Sequence, residues 1–174
     1  ADIASITPNE LREYHLGSIL NGGNSAPGGN NRTAAAAWVA LADEFWLAST
    51  DKSDGRTGIP ALWGTDAVHG HNNIVGATIF PHNIGLGAAN NTNLMHQIGT
   101  VTAKELLVTG LDWTFAPTIA VVRDDRWGRT YESYSEDPAI VRDFAGYLVD
   151  GIQGKLSDQT FLDDDHLIAT AKHF

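Results

Sequence analysis

Apolar residues recur at the spacing of an amphipathic α-helix in three segments of the chain, residues 33–49, 92–108 and 138–154. One face of each predicted helix is therefore expected to pack on a core. The apolar positions on these faces are Trp38, Leu41, Ala42, Phe45 and Trp46 in the first helix, Leu94, Ile98, Val101 and Val108 in the second, and Val141, Phe144, Ala145, Leu148 and Ile152 in the third. Asp137 as N-cap and Pro138 in the first turn mark the start of the third helix.

Four short apolar runs, residues 16–20, 60–63, 111–116 and 167–171, alternate with these helices. None of them alternates strictly between apolar and polar residues, which is typical of parallel strands that are buried on both faces. No hairpin signal lies between the runs. The sequence therefore predicts an α/β fold in which helices cover a parallel sheet.

The number of strand–helix steps bounds the architecture. A closed (β/α)8 barrel needs about 250 residues, whereas this chain has 174 residues and four predicted steps. We expect a partial (β/α)8 TIM-type barrel, about its first half, which occupies residues 1–174 without an internal domain boundary. The chain starts at Ala1 and stops at Phe174 directly after an apolar run, and we interpret both ends as cut. The alternative is a complete small sheet of the flavodoxin-like type.

Long polar segments follow the predicted strands, at residues 21–32, 66–91 and 117–137. Because ligands bind at the carboxyl ends of parallel strands, these loops are expected to share one functional face. The first loop contains Gly22, Gly23, Gly28 and Gly29, but it lacks the Lys-Ser/Thr ending of a phosphate loop and the spacing of a dinucleotide motif. Its glycines either let the backbone approach a ligand or form a turn.

Composition and charge exclude several classes of partner. A hydrophobic content of 43% with 18% charged residues is ordinary for a globular protein. The net charge of −10 argues against nucleic acid and against an anionic membrane surface as partners. No run of eighteen apolar residues is present to span a membrane, and the lack of cysteine excludes disulfides and thiol catalysis. A neutral ligand fits this composition, and no cofactor is expected.

Residues 123–137 are the most unusual segment of the chain, with three arginines, five acidic residues, one tryptophan and two tyrosines among fifteen residues. Guanidinium groups donate hydrogen bonds in fixed directions, carboxylates accept paired hydroxyls, and flat aromatic rings stack on sugar rings. This mixture predicts a loop that binds a polyhydroxylated ligand, namely a sugar. The alternative is a surface loop that is held together by its own ion pairs.

Three further candidate residues lie at the ends of predicted strands. Asp66 follows the second strand, where it can accept two hydroxyl hydrogen bonds, unless it only caps a turn. Lys172 and His173 follow the fourth strand and are expected to open onto the same face. A lysine that follows an apolar strand is rarely without a partner, so we expect one for Lys172.

His69 and His71 form a His-x-His pair after Asp66, an arrangement that belongs to a metal site in some barrel hydrolases. A metal would need further ligands, for which His82 and His173 are the candidate histidines. We favour hydrogen bonding within a packed loop as the role of the pair.

Five motifs together resemble the N-terminal barrel of family 3 glycoside hydrolases in order and spacing. They are GTDAVHGHN from Gly64, ATIFPHNIGLG from Ala77, FAP from Phe115, RWGRTYESYSED from Arg126 and KHF from Lys172. The resemblance covers nearly the whole chain from about Ile6. It is strongest to the β-glucosidase and exo-β-glucanase branch, rather than to the N-acetylglucosaminidase branch.

The resemblance implies release of β-D-glucose from the non-reducing ends of β-glucosides or β-glucans, with retention of configuration by two carboxylates. It assigns Asp66, Arg129, Lys172 and His173 to the subsite that binds the terminal glucose, and leaves Arg123 as an outer arginine. It implies a nucleophile in a later barrel strand and an acid/base residue in a C-terminal domain, both beyond this chain. The chain alone is then expected to be inactive and to need the remainder of its barrel. A periplasmic or extracellular location in a bacterium is also implied.

Two alternatives remain open from the sequence, a noncatalytic carbohydrate-binding fragment and a metal-dependent hydrolase built on His69 and His71. Retaining chemistry needs two carboxylates about 5 Å apart across the scissile bond. We expect no such pair among the carboxylates of the functional face, which are Asp66, Glu132, Glu136 and Asp137.

Overall fold

The computed structural model of the chain describes residues 3–21 and 25–173. Four short strands form one parallel sheet in the order β1, β2, β3, β4. They are β1 (Ser18–Asn21), β2 (Leu62–Thr65), β3 (Trp113–Thr114) and β4 (Ile168–Ala169). A flavodoxin-like sheet would place β1 between β2 and β3, whereas the observed consecutive order is that of a (β/α)8 barrel. The flavodoxin-like alternative is therefore wrong.

The described residues contain five α-helices: α1 (Pro8–Glu13), α2 (Ala35–Thr50), α3 (Asn83–Ala89), α4 (Thr92–Leu107) and α5 (Pro138–Gln153). The three predicted helices are confirmed as α2, α4 and α5. The short helix α1 was not predicted, although Thr7 and Glu10 form a complete capping box at its start. Helix α3 was also missed, because two glycines in seven residues hide its helical character.

The predicted apolar face of α2 is confirmed at Trp38 and Phe45, which are buried, and is wrong at Trp46, which is 54% exposed. Eight residues correspond to a rotation of about 80° beyond two full turns of an α-helix. Trp46 therefore lies beside the buried stripe rather than within it. Trp38 stacks on Trp63 of β2, with ring centroids 5.8 Å apart, and so joins the helix layer to the sheet.

The predicted face of α4 is wrong at Val101 and Val108, which are exposed. The buried residues of this helix are Met95, Ile98, Gly99, Thr102, Ala103 and Leu106. Gly99 lies against the backbone of α5, where an added Cβ would come within 2.6 Å of the carbonyl oxygen of Leu148. The close contact between the two helices decides which face of α4 is buried.

The predictions for α5 are confirmed. Its stripe is buried at Val141, Phe144, Leu148 and Ile152, and the Asp137 carboxylate caps the helix by accepting a hydrogen bond of 2.8 Å from the backbone N–H of Ala139. This helix packs along α4 and contacts β4. No helix in the described ranges has the length and apolar character needed to cross a membrane.

The loops after the strands gather at the carboxyl edge of the sheet. Gly64 in β2 lies under the rings of Trp113 and Phe115. A Cβ added to Gly64 would come within 2.7 Å of the Phe115 ring. In the first loop, Gly28 and Gly29 have positive φ angles in a short 3-10 turn, Pro27–Gly29, which favours the turn role. Gly22, Gly23 and Phe174 lie outside the described residues.

Candidate functional site

Asp66 and Lys172 meet at the carboxyl edge of the sheet, although 106 positions separate them in sequence. The Lys172 ammonium donates to the Asp66 carboxylate in a salt bridge. A parallel bridge between Thr118 and Lys172 prolongs the pairing of β3 with β4, and the Lys172 N–H donates to the Pro117 carbonyl over 2.9 Å. The prediction that Lys172 has a partner is confirmed.

Asn73 makes two hydrogen bonds to the segment around Asp66. The Asn73 side-chain amide donates to the Thr65 hydroxyl over 2.9 Å and to the Asp66 carbonyl over 3.4 Å. Asn73 thus holds the backbone of the residue whose carboxylate lies beside Lys172. One carboxylate can accept about four hydrogen bonds, so acceptor capacity remains for ligand hydroxyls.

Arg129 forms a bidentate ion pair with Glu132 in the short 3-10 turn Thr130–Glu132. The Arg129 Nε donates to Glu132 Oε1 over 2.7 Å, and Nη2 donates to Oε2 over 2.6 Å. Burial raises the pKa of Glu132, but the hydrogen bonds and positive charge of Arg129 outweigh it, so the pKa lies below its usual value. Two of the five guanidinium N–H donors are used in the pair, and three remain available.

The two ion pairs influence each other electrostatically. The hydrogen bonds from Arg129 to Glu132 are the main cause of a raised Arg129 pKa, and the negative charge of Asp66 adds to it. In return, the positive charge of Lys172 helps to lower the pKa of Glu132. The four side chains therefore form one charged cluster above the sheet.

A cavity of about 490 Å³ opens beside this cluster, which is within the range of small-ligand sites. Its lining residues combine two arginines, an aspartate, a histidine, an aromatic ring and small apolar side chains, namely Ala120, Val121, Arg123, Asp124, Trp127, Arg129 and His173. Two of the four predicted site residues, Arg129 and His173, thus line one cavity. Arg123 lines the cavity too. Its role as an outer arginine that contributes less than Arg129 stays a prediction.

The remaining arginine of the loop, Arg126, behaves as an ordinary surface residue. Its Nε donates to Asp124 over 2.9 Å, and its side chain is almost fully exposed. The ion-pair interpretation of this loop therefore holds for Arg126 and Asp124, whereas Arg129 is tied to the buried carboxylate of Glu132.

His69 and His71 point to different partners. His71 is fully buried, and its Nε2 lies 2.9 Å from the Thr109 hydroxyl. Burial lowers the pKa of His71 to about 4. His69 Nε2 instead lies 2.9 Å from His82 Nδ1, and the pKa of His69 is lowered by burial and then by the charge of His82. The predicted role of both residues, hydrogen bonding in a packed loop, is confirmed.

These contacts leave the metal-hydrolase alternative without support in the structure. Within residues 3–21 and 25–173, no three or more histidine, aspartate or glutamate side chains are grouped so that they can hold a metal ion. His82 is instead engaged with His69 and packs edge-on against Tyr131, with ring centroids 4.7 Å apart.

The sequence did not reveal that α3 supports the arginine loop. The buried side-chain amide of Asn83 donates to the Glu132 carbonyl over 2.7 Å, and His82 contacts Tyr131. No pattern of charge or apolar spacing singles out Asn83, since it begins a glycine-rich helix that the periodicity does not reveal. The only available signal was its place within the motif that carries the family resemblance.

Comparison with known proteins agrees with this geometry. A family model described as the glycosyl hydrolase family 3 N terminal domain matches residues 2–174. The crystal structure of an exo-1,3/1,4-β-glucanase from a Pseudoalteromonas species aligns with a TM-score of 0.95 and 57% sequence identity, over 99% of this chain and 21% of that one. The structure of a mutant β-glucosidase from Listeria innocua in complex with laminaribiose aligns with a TM-score of 0.68 and 29% identity, over 99% and 22% of the two chains.

A lysosomal β-glucosidase of Dictyostelium discoideum is 30% identical in a gapped alignment of 181 positions, which covers 98% of this chain and 22% of that protein. The chain thus spans about a fifth of the length of these relatives. The resemblance inferred from the motifs is confirmed, as is the fold class of a partial barrel. The chain belongs to glycosyl hydrolase family 3, whose N-terminal domain model it matches over residues 2–174.

Proposed function

We propose that the whole protein containing this chain is a retaining exo-acting glycoside hydrolase that releases β-D-glucose from the non-reducing ends of β-glucosides or β-glucans. Membership of a glycoside hydrolase family supports the reaction class. The names of the relatives, an exo-1,3/1,4-β-glucanase and β-glucosidases, support glucose as the sugar. The complex of one relative with laminaribiose supports a β-glucan as ligand.

In this proposal, the terminal glucose binds beside the charged cluster. Asp66 accepts hydrogen bonds from two neighbouring hydroxyls, while Arg129, Lys172 and His173 contribute donors. The observation that carries the proposal is the meeting of Asp66 and Lys172, from the ends of β2 and β4, next to the Arg129–Glu132 pair. A charged carboxylate beside a fixed guanidinium fork suits vicinal hydroxyls, because both groups form directional, charge-assisted hydrogen bonds.

The bond-breaking carboxylates are proposed to lie outside this chain. Of the carboxylates on this face, Asp66 is bound to Lys172 and Glu132 to Arg129. Asp137 caps α5. A nucleophile and an acid/base must instead flank the scissile bond about 5 Å apart. We therefore propose that residues 1–174 are an incomplete barrel domain, completed by the remainder of the barrel and by a C-terminal domain.

The stereochemistry of the product tests the proposed reaction. With the whole protein and a β-glucoside, proton NMR is expected to show β-glucose as the first product, before mutarotation produces the α-anomer. Initial release of α-glucose would contradict the retaining mechanism. Release of longer oligosaccharides from a β-glucan, before any glucose, would contradict the exo mode.

The 174-residue chain by itself is expected to show no hydrolysis. An inactive isolated chain agrees with a sugar-binding role of these residues, whereas an active one requires a complete catalytic centre within them. The measurement uses a chromogenic β-glucoside with the purified chain and with the whole protein. Hydrolysis by the isolated chain that Asp66→Ala abolishes would move the catalytic carboxylates into residues 1–174.

A further inference from the structure

The backbone that follows Arg129 lies directly against helix α3. An added Cβ on Gly87 would come within 1.7 Å of the carbonyl oxygen of Tyr134, a distance that no side chain can occupy. Gly87 therefore permits a backbone-to-backbone contact between α3 and the segment that contains Glu132. At the other end of α3, Asn83 donates to the carbonyl of Glu132 itself over 2.7 Å.

Asn83 is a polar residue at a buried position of α3. It is 1% exposed, and among the described residues its Oδ1 finds no hydrogen-bond donor, although Nδ2 is satisfied. A buried amide oxygen without a donor costs stability, while the amide N–H of the same side chain satisfies the Glu132 carbonyl. Such an exception in a native protein calls for an explanation other than stability.

The bond that Asn83 does make acts on the residue that orients Arg129. The backbone carbonyl of Glu132 accepts from Asn83, while the carboxylate of Glu132 accepts two hydrogen bonds from the Arg129 guanidinium. The Glu132 side chain is mostly buried, and its pKa is lowered. Its carboxylate therefore accepts the two hydrogen bonds from Arg129 as a charged group. A shift of the Glu132 backbone therefore moves the guanidinium.

We propose that Asn83 is a positioning residue for Arg129: by fixing the Glu132 carbonyl, it sets the direction in which the guanidinium faces the cavity. The proposal rests on the proposed function of Arg129 in binding the terminal sugar. Asn83 itself does not reach the cavity lining. Displacement of a substrate-positioning group by about 1 Å can reduce catalysis on the order of 100-fold.

A matched pair of asparagines separates positioning from general stability. In the whole protein, Asn83→Leu removes the donor to Glu132 but keeps a side chain of similar volume. Asn91→Ala removes another single bond between an asparagine side chain and the backbone, the N-cap of α4, whose Oδ1 accepts from the Leu94 N–H over 3.1 Å. We expect kcat/KM for a β-glucoside to fall about tenfold in Asn83→Leu and less than about twofold in Asn91→Ala. Equal losses in the two variants would overturn the proposal.

A double-mutant cycle identifies the route of the effect. If Asn83 acts through Arg129, then Asn83→Leu adds no further loss in an Arg129→Ala background, because the positioned group is already absent. The same fold-loss in both backgrounds would show that Asn83 affects activity by another route, and would overturn the proposal.

A structural measurement keeps this proposal distinct from the proposed function. In a crystal structure of whole Asn83→Leu protein, the Arg129–Glu132 pair is expected to be shifted or broken relative to the wild type. An unchanged pair overturns the positioning role, whatever the substrate. A wild-type protein that fails to hydrolyse β-glucosides refutes the proposed function alone, because the position of Arg129 is observed directly in the crystal.

Discussion

The two edges of the sheet carry ion pairs of similar composition but of different construction. At the amino edge, the Arg12 guanidinium contacts Asp51 over 2.9 Å and Asp54 over 3.1 Å, and Arg56 contacts Asp54 over 2.7 Å. These residues lie beside a second cavity, of about 290 Å³, that Arg12 and Arg56 help to line. At the carboxyl edge, the pairs are Asp66 with Lys172 and Arg129 with Glu132. Charge alone does not distinguish the two edges.

The distribution of burial within each pair does distinguish them. At the amino edge, the exposed fractions of the two arginines and two aspartates all lie between 29% and 38%. At the carboxyl edge, each pair has a buried and an open member: Lys172 is 15% exposed against 47% for Asp66, and Glu132 is 8% exposed against 43% for Arg129. The buried member fixes the open one, whose remaining hydrogen-bonding capacity faces the solvent. This asymmetry is what a ligand site requires, whereas the even network suits a structural role.

The largest expected effect comes from Asp66→Ala in the whole protein. The substitution removes two proposed charge-assisted hydrogen bonds to the sugar, each worth about 1.5–3 kcal/mol, and leaves Lys172 without its partner. We expect kcat/KM for a β-glucoside to fall by on the order of 100-fold or more.

The matched control for Asp66 is Asp51→Ala at the amino edge, which also removes an aspartate that is paired with a cation. It is expected to lower the temperature of unfolding but to leave kcat/KM within about twofold. Comparable losses of activity in both variants would mean that asymmetry of burial does not identify the functional edge.

The sequence correctly predicted those features of the carboxyl edge that depend only on which residues follow each strand. Asp66 and Lys172 each follow an apolar run, and consecutive parallel strands bring their carboxyl ends together. The pairing of residues 106 positions apart follows from topology alone. The direction of Asp66 toward Lys172 is then a consequence of the shared edge.

The sequence failed where close backbone contacts decide the outcome. The faces of α4 and α3 depend on Gly99 and Gly87, which carry no side chain and so give no apolar signal. Their role appears only when the neighbouring backbone is known. For the same reason, the support that Asn83 gives to Glu132 had no counterpart in any pattern along the chain.

The pH dependence of stability tests the comparison through His71, which is buried within the loop that follows β2. The Thr109 hydroxyl donates to the Leu106 carbonyl over 2.7 Å, so neutral His71 carries its proton on Nε2 and donates to Thr109. Its pKa is lowered from an ordinary 6.5 to about 4, so the unfolded chain binds the proton first as the pH falls. The stability that neutral His71 confers is complete above about pH 6.5 and is lost toward pH 4, with a total of about 3 kcal/mol.

The measurement is the free energy of unfolding of the whole protein between pH 7.5 and 4, in denaturant. His71→Gln, which keeps an N–H donor but does not titrate, is expected to reduce the acid loss. The control is His15→Asn at the amino edge, since His15 is exposed and asparagine tolerates its positive φ angle. An acid loss of equal size in wild type and His71→Gln would show that His71 is not its source.

Within the arginine loop, Arg129→Ala is expected to reduce activity more than Arg123→Ala. Both arginines line the cavity, but only Arg129 is fixed by a buried carboxylate. A fixed donor can strengthen its bond to the sugar in the transition state. We expect a loss of about 1.5–3 kcal/mol of transition-state stabilisation, which is about ten- to a hundredfold in kcat/KM, for Arg129→Ala.

For Arg123→Ala the expected loss is several-fold, and it is expected to appear mainly in KM. Steady-state kinetics of the two variants in the whole protein provide the test. Equal, small effects would remove Arg129 from the sugar site, and equal, large effects would show that cavity position matters more than a buried partner.

The smallest expected effect is that of Arg12→Ala at the amino edge. Partly exposed ion pairs contribute up to about 1 kcal/mol, and the arginine stem adds packing against its surroundings. We therefore expect the free energy of unfolding of the whole protein to fall by about 1 kcal/mol, with kcat/KM unchanged within about twofold.

Arg12→Met keeps most of the stem and separates lost packing from lost charge. The loss of unfolding free energy that is due to the missing charge should be smaller in 1 M salt, where the Debye length is about 3 Å. A tenfold loss of kcat/KM without a change in stability would place the amino edge in the functional machinery and end the distinction between the two edges.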